Sequence, residues 1–130
     1  MPTFKAELLM RDKRLEWLQE QGVTVNYVQL EPDELADALR SKLLEEATEA
    51  AIEVNPQEMI KELADILEVV QALAKECNIS PEELAKTVTE RKENLGGFEQ
   101  RLYSQSVSMP DGHPAEAYYR ENILKYPEIK

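Results

Sequence analysis

The chain has 130 residues, of which 42% are hydrophobic and only 6% aromatic, so a single domain can build a core mainly from aliphatic side chains. Its 26 acidic residues outnumber the 15 basic ones and give a net charge of −11, which argues against nucleic acid or an anionic membrane as a partner. A small anionic ligand is still compatible with this charge, because a bound cation reverses the local potential.

The single cysteine and the N-terminal residues indicate the compartment. Cys77 has no second cysteine with which to form an internal disulfide, which suits a reducing environment. The first residues include Glu7 and no long apolar segment, so we expect no signal peptide. No apolar run approaches the roughly 20 residues that cross a bilayer. We therefore expect a cytoplasmic protein that does not enter the membrane.

The predicted elements are nearly all helices. Helical patterns cover residues 11–21, 32–54, 56–77, 81–95 and 115–126. Three of these helices begin with a proline, at Pro32, Pro56 and Pro81, where the missing N–H has no partner to lose. Ser80 and Glu83 predict a capping box at the start of the fourth helix.

The remaining segments predict links and turns. Residues 1–10 and 98–109 have the composition of extended segments, and residues 23–30 predict a short strand or an extended link. Asn78 is a candidate left-handed cap after the third helix. The predicted fold class is all-α: a helical bundle in which two acidic helices run antiparallel and a third closes the site, with minor extended segments near the N-terminus and after Gly97. We expect a domain at residues 1–102 and an extension at 103–130 that packs on it or on a partner subunit.

Two acidic pairs on consecutive helices are the most informative feature. Glu46 and Glu49 lie on the second predicted helix, and Glu62 and Asp65 lie on the third. The i, i+3 spacing places both carboxylates of a pair on one face, with Cβ atoms about 5–6 Å apart. If the helices fold back on each other at residues 55–56, the four carboxylates converge. Such a cluster predicts a divalent-metal site, with Mg²⁺ favoured and Mn²⁺ as a substitute.

The apolar positions of these two helices define where the acids lie. They are Leu39, Leu43, Ala47, Ala50 and Val54 on the second helix, and Met59, Leu63, Ile66, Val70 and Leu73 on the third. At 100° per residue, both acidic pairs fall at the edge of the apolar arc. Acids at this edge are expected to line a cleft beside the core. The alternative is a solvated acidic face, which is common in a chain that is 32% charged.

Four segments resemble one family. The sequence EEATE at residues 45–49, followed after twelve residues by ELAD at 62–65, is similar to the E-E-x-x-E…E-x-x-D signature of the all-α nucleoside triphosphate pyrophosphatase (MazG-like) superfamily. RDK at residues 11–13 and RKENLGGF at 91–98 resemble segments of its subgroup of predicted house-cleaning pyrophosphatases. The segment at residues 62–73 resembles the ELADVLEV helix of that subgroup. The resemblance covers roughly residues 8–102.

The resemblance implies Mg²⁺-dependent hydrolysis of a nucleoside triphosphate between its α- and β-phosphates. The products are a nucleoside monophosphate and pyrophosphate. By position, the metal ligands are Glu46, Glu49, Glu62 and Asp65. Glu45, which lies beside them, is the candidate general base for the attacking water, and the alternative is that it is a plain surface acid.

Six polar residues are candidates for binding the substrate. They are Lys42, Arg91, Lys92, Asn94, Arg11 and Lys13. Lys42 lies one turn before Glu46, where it either reaches a phosphate or pairs with Glu46 within the helix. Arg91 and Lys92 lie near a helix end, where they either bind phosphate or stabilise the helix C-terminus.

The predicted function is that of a Mg²⁺-dependent nucleoside triphosphate pyrophosphohydrolase that removes modified nucleotides, assembled as a homodimer or homotetramer. One alternative is a phosphoribosyl-ATP pyrophosphohydrolase of histidine biosynthesis, which shares the fold and the metal chemistry. The other is a non-catalytic helical interaction module, in which the acids serve solubility and partner choice. No motif specifies a base or a sugar.

Overall fold

The computed structural model describes residues 1–130 and contains five α-helices and no strand. The helices are α1 (Asp12–Glu20), α2 (Pro32–Ile52), α3 (Pro56–Glu76), α4 (Pro81–Leu95) and α5 (Ala115–Glu121). The prediction of an all-α fold is confirmed, and the ends of α1 to α4 lie within two residues of their predicted positions. None of these helices combines the length and the apolar character that crossing a membrane requires.

The chain divides into two compact units, Met1–Asn94 and Leu95–Lys130. The first unit holds α1, α2, α3 and all of α4 except its last residue. The second unit holds α5 and the irregular segments on either side of it. The predicted domain boundary after residue 102 stays a prediction.

α2 and α3 form the central helical hairpin. A link of three residues, 53–55, joins them, and so short a link makes neighbouring helices antiparallel. Within the first unit, no other pair of helices brings Cα atoms within 8 Å of each other. The expectation that a third long helix closes over the two acidic helices is therefore wrong within this chain. α4 is exposed along its length, with only Leu84 half-buried, so it contributes nothing to the core between α2 and α3.

Local hydrogen bonds explain where the long helices begin. At the start of α2, Glu31 and Glu34 form a reciprocal capping box in front of Pro32. At the start of α3, the side chain of Asn55 accepts hydrogen bonds from the backbone N–H groups of Gln57 at 2.9 Å and Glu58 at 3.5 Å. These acceptors satisfy N–H groups that a helix leaves without partners in its first turn.

The ends of the shorter elements follow similar rules. Ser80 Oγ accepts the N–H of Glu83 at 3.1 Å, which confirms Ser80 as the cap of α4. Asn78 has a φ of 60°, as predicted for a left-handed cap. α5 ends at Glu121, five residues before its predicted end, because the backbone leaves the helical region at Asn122. The side-chain amide of Asn122 then donates to the carbonyl of Tyr118 at 2.7 Å.

Residues 23–30 form an irregular link rather than a strand. A strand needs a neighbour with which to exchange backbone hydrogen bonds, and no segment of the chain supplies one. Residues 1–10 and 98–109 likewise contain no helix or strand. The prediction of an extended segment is wrong at residues 98–101, where the N–H of Arg101 donates to the carbonyl of Phe98 at 3.1 Å and closes a turn.

The core lies between α2 and α3 and contains a charged residue. Three residues are buried: Leu39 and Glu46 at 6% exposure and Val69 at 7%. The predicted position of Glu46 at the edge of the apolar arc is therefore wrong, since it is as deeply buried as Leu39. Conversely, Val54 and Leu63 belong to the predicted arcs but are 93% and 52% exposed. Each helix has two apolar stripes, and only one of them faces the other helix.

Candidate metal centre

Three carboxylates from the two helices of the hairpin come together. Glu46 and Glu49 lie on α2 and Glu62 lies on α3, and one oxygen of each lies within 4.8 Å of the others. Mg²⁺–oxygen distances are about 2.0–2.1 Å, so oxygens on opposite sides of one ion are about 4.2 Å apart. A small movement of these side chains therefore places all three around a single divalent cation.

Two oxygens of this cluster are buried without a partner. Glu46 Oε2 and Glu62 Oε2 are shielded from solvent and accept no hydrogen bond. A buried polar group without a partner costs about 1–3 kcal/mol, and more when it is charged. Such groups are rare in folded proteins and usually have a functional reason. A cation held by both oxygens would remove this cost. The two buried oxygens therefore support a divalent-metal site independently of the spacing of the acids in the sequence.

Lys42 holds the other oxygen of Glu46. Its Nζ lies 3.3 Å from Glu46 Oε1 and 3.3 Å from Glu45 Oε1. The lysine side chain is only 19% exposed. Burial lowers the pKa of Lys42, but its hydrogen bonds to Glu46 and Glu45 outweigh this effect and raise the pKa overall. The intrahelical pair with Glu46 is thus formed, and a role of Lys42 in binding phosphate stays a prediction.

The pKa of Glu46 is raised above its ordinary value. Burial is the largest cause, and the negative charges of Glu49 and Asp65 add to it, while the hydrogen bond from Lys42 works in the opposite direction. One lysine therefore does not compensate fully for the burial of this carboxylate among its acidic neighbours. The site as built by the chain favours additional positive charge.

Asp65 is held by an arginine at the start of α1. Its Oδ1 accepts a hydrogen bond from Arg11 Nη1 at 3.1 Å, and it is not one of the three carboxylates that converge. Asp65 is nevertheless close enough for its charge to raise the pKa of Glu46. The structure therefore brings a predicted substrate-binding residue to a predicted metal ligand, and both roles stay predictions.

The other predicted substrate-binding residues lie elsewhere in the first unit. Lys13 is exposed on α1, and Arg91, Lys92 and Asn94 are exposed near the end of α4. Because α4 does not pack on α2 or α3, the fold of one chain does not bring these three residues to the carboxylates. Their roles also stay predictions.

A helical hairpin that collects carboxylates from both of its helices is consistent with an all-α nucleotide pyrophosphohydrolase of the MazG-like superfamily. The family model described as phosphoribosyl-ATP pyrophosphohydrolase (PRA-PH) matches residues 28–92, which is half of the chain, and the chain belongs to that family. No curated protein and no solved structure matches the chain.

Family membership makes the protein a hydrolase that acts on phosphoric anhydride bonds. The interpretation as an enzyme is therefore confirmed over that of a non-catalytic interaction module. The matched residues span α2, α3 and most of α4. They include Glu45 and all four predicted metal ligands, whereas Arg11 and Lys13 lie before the match.

We predict that Glu46→Gln stabilises the metal-free protein at pH 7. Glutamine keeps the shape of the side chain but removes a buried charge that Lys42 compensates only in part. In EDTA, we expect the melting temperature to rise by about 2–4 °C, equivalent to roughly 1 kcal/mol. Added Mg²⁺ should stabilise the wild type and leave the variant unchanged. Differential scanning fluorimetry measures both effects.

The difference in melting temperature between Glu46→Gln and the wild type should decrease as the pH falls. Glu46 takes up its proton at a higher pH in the folded chain than in the unfolded chain, where the ordinary pKa is 4.5. Lowering the pH from 7 towards 4.5 therefore stabilises the wild type relative to Glu46→Gln, and the two melting temperatures should converge. Glu90→Gln, at an exposed site on α4, is the control. If Glu46→Gln is less stable than the wild type at pH 7 in EDTA, the prediction is wrong.

Proposed function

We propose that the protein is a divalent-metal-dependent pyrophosphohydrolase that cleaves a nucleoside triphosphate between the α- and β-phosphates. The observation that carries the proposal is the convergence of Glu46, Glu49 and Glu62 with two buried oxygens that lack partners. Mg²⁺ is the proposed ion and Mn²⁺ its substitute, because both suit carboxylate and phosphate oxygens. When bound, the ion would neutralise charge that develops on the phosphate oxygens.

The acidic residues then have distinct roles. Glu46, Glu49 and Glu62 hold the ion, and we assign Asp65 as a fourth ligand from its place in the signature. Lys42 fixes one oxygen of Glu46 and so leaves the other free of hydrogen bonds. This arrangement orients the carboxylate before any ligand arrives, which favours tight and specific binding.

Glu45 is the proposed general base. Its Oε1 and that of Glu46 lie at the same distance, 3.3 Å, from Lys42 Nζ, so its carboxylate lies close to the metal ligands. Its side chain is 39% exposed, which leaves room for a water molecule. A base in this position can take the proton of the attacking water once that water is within about 3 Å.

Two substrates are candidates, and both carry the same triphosphate. The resemblance of RDK at 11–13 and GGF at 96–98 to house-cleaning pyrophosphatases supports a modified nucleoside triphosphate. The family match supports phosphoribosyl-ATP. We place Arg11 on the phosphate side of either substrate. Lys13, Arg91, Lys92 and Asn94 keep their predicted substrate-binding roles, although the fold of one chain does not bring the three residues of α4 to the carboxylates. A cytoplasmic location and the absence of a nucleic-acid partner stay predictions.

A homodimer or homotetramer is the proposed assembly. The outward stripes of α2 and α3 contain five large apolar residues, each more than half exposed: Leu44, Ile52, Ile60, Leu63 and Leu67. Contiguous apolar surface of this kind usually marks a contact with another molecule. A second copy that presents the same two stripes would cover it and complete a helical bundle.

We predict that the protein releases pyrophosphate, not phosphate, from a nucleotide panel in the presence of Mg²⁺ or Mn²⁺. The panel includes phosphoribosyl-ATP together with common and modified nucleoside triphosphates, and the highest kcat/KM identifies the substrate. Glu49→Gln should lower kcat/KM on the order of 10²-fold because a ligand is lost. Asp37→Asn, an exposed acid on the opposite face of α2, should retain wild-type activity. Release of phosphate alone, or normal turnover by Glu49→Gln, would show that the assigned chemistry is wrong.

For Glu45 as the general base, we predict that its replacement lowers kcat without changing the affinity for the metal. Glu45→Gln should lower kcat by about 10²- to 10⁴-fold and leave the affinity for Mn²⁺ at the wild-type value, because Glu45 holds no ion. Electron paramagnetic resonance of Mn²⁺ gives the affinity, and pyrophosphate release gives kcat. A normal kcat would assign Glu45 as a surface acid that only pairs with Lys42.

For the assembly, we predict a dimer or tetramer in sedimentation velocity at micromolar concentration. Leu67→Lys should shift the protein to monomer, because a charge in the centre of an apolar contact is not compensated. Val88→Lys on α4 is a matched control, since Val88 is 61% exposed and Leu67 is 60% exposed. A monomeric wild type, or equal dissociation of both variants, would rule out the stripe as the contact.

A further inference from the structure

The ion pair between Arg11 and Asp65 differs from the other charge pairs near the carboxylates. It joins residues 54 positions apart at 3.1 Å, whereas Lys42 reaches its partners within one turn of the same helix. Arg11 is the residue immediately before α1, so its backbone does not belong to the hairpin. The pair therefore brings an external cation to the acidic cluster.

The pair is placed where it can open without disturbing the fold. The side chains of Arg11 and Asp65 are 66% and 40% exposed, and neither belongs to the buried core. Exposed pairs of this kind shift equilibria only slightly, by at most about fivefold. A cation with a higher charge can therefore replace the guanidinium with little loss of free energy.

Asp65 lies one turn after Glu62 on α3, and its charge acts on the carboxylate of Glu46. With a divalent cation held by the three converging carboxylates, Asp65 would be attracted to the ion and the guanidinium of Arg11 would be repelled from it. The released guanidinium is planar and presents paired donors that match two phosphate oxygens. These two preferences favour an exchange of partners at Asp65.

We propose that Arg11 is an exchangeable counter-ion: it holds Asp65 in the metal-free protein, leaves it when a divalent cation binds, and then binds the phosphates of the nucleotide. This inference rests on the proposed metal-dependent function. Arg11 then has two successive partners, Asp65 and the nucleotide phosphates. Removing its side chain should therefore have opposite effects on the binding of the metal and of the nucleotide. Binding of the metal alone becomes tighter, and binding of the nucleotide becomes weaker.

The test begins with Mn²⁺ alone, titrated into metal-free protein and followed by electron paramagnetic resonance. We expect Arg11→Gln to lower the dissociation constant for Mn²⁺ about two- to fivefold, because the competing cation is gone. Arg40→Gln is the matched control. Arg40 also pairs with an aspartate, Asp37, at 3.2 Å and is 59% exposed, so it reports the general effect of removing one positive charge.

A double-mutant cycle with Asp65→Asn separates an exchange at Asp65 from an indirect structural effect. In the Asp65→Asn background, Arg11→Gln should no longer change the affinity for Mn²⁺, because the competition acts through the carboxylate. An unchanged effect of Arg11→Gln in that background would overturn the proposal. So would equal Mn²⁺ affinities for Arg11→Gln and Arg40→Gln.

The second half of the proposal is tested by KM for the nucleotide at saturating Mn²⁺. Arg11→Gln should raise KM, and Arg11→Lys should raise KM while keeping the Mn²⁺ affinity of the wild type, because lysine retains the charge but lacks the fork of donors. An unchanged KM in both variants would overturn this half. A wild type that binds no Mn²⁺ would instead refute the proposed metal-dependent function, so the two failures are distinguishable.

Discussion

The burial of the Glu46 carboxylate between α2 and α3 is the constraint on which the rest of the first unit depends. Only Leu39 and Val69 are buried to a similar degree, so the hairpin has little apolar core to offset the desolvation of a charge. Lys42 satisfies one oxygen and leaves the other without a partner. The two helices are therefore held together around a group that is best stabilised by a ligand, as is common where function and stability compete.

The short link between the helices determines which acids meet. Residues 53–55 are the whole connection and Asn55 caps α3, so the residue at which α3 begins is fixed close to the end of α2. Each residue added to a helix turns the following positions by about 100°. Glu62 lies opposite Glu46 and Glu49 only in one register, so the link specifies the cluster as firmly as the acidic residues do.

The sequence predicts those features that depend on local interactions. Prolines at the first helical positions, the Ser80 cap and the left-handed Asn78 locate the helix ends, and i, i+3 spacing pairs the acids within each helix. The depth of Glu46 is not predictable in this way, because each helix has two apolar stripes and only packing decides which one faces inward. The pairing of Arg11 with Asp65 also escapes prediction, since it joins distant parts of the chain.

The two unpartnered oxygens have a consequence for the amount of protein in a cell. A hairpin that is tightened by a cation opens more often when that cation is scarce, because ligands stabilise only the folded state. Proteases degrade chains in proportion to how often they open. With the proposed ion as ligand, the steady-state abundance of this enzyme would follow the supply of divalent metal without any change in its synthesis.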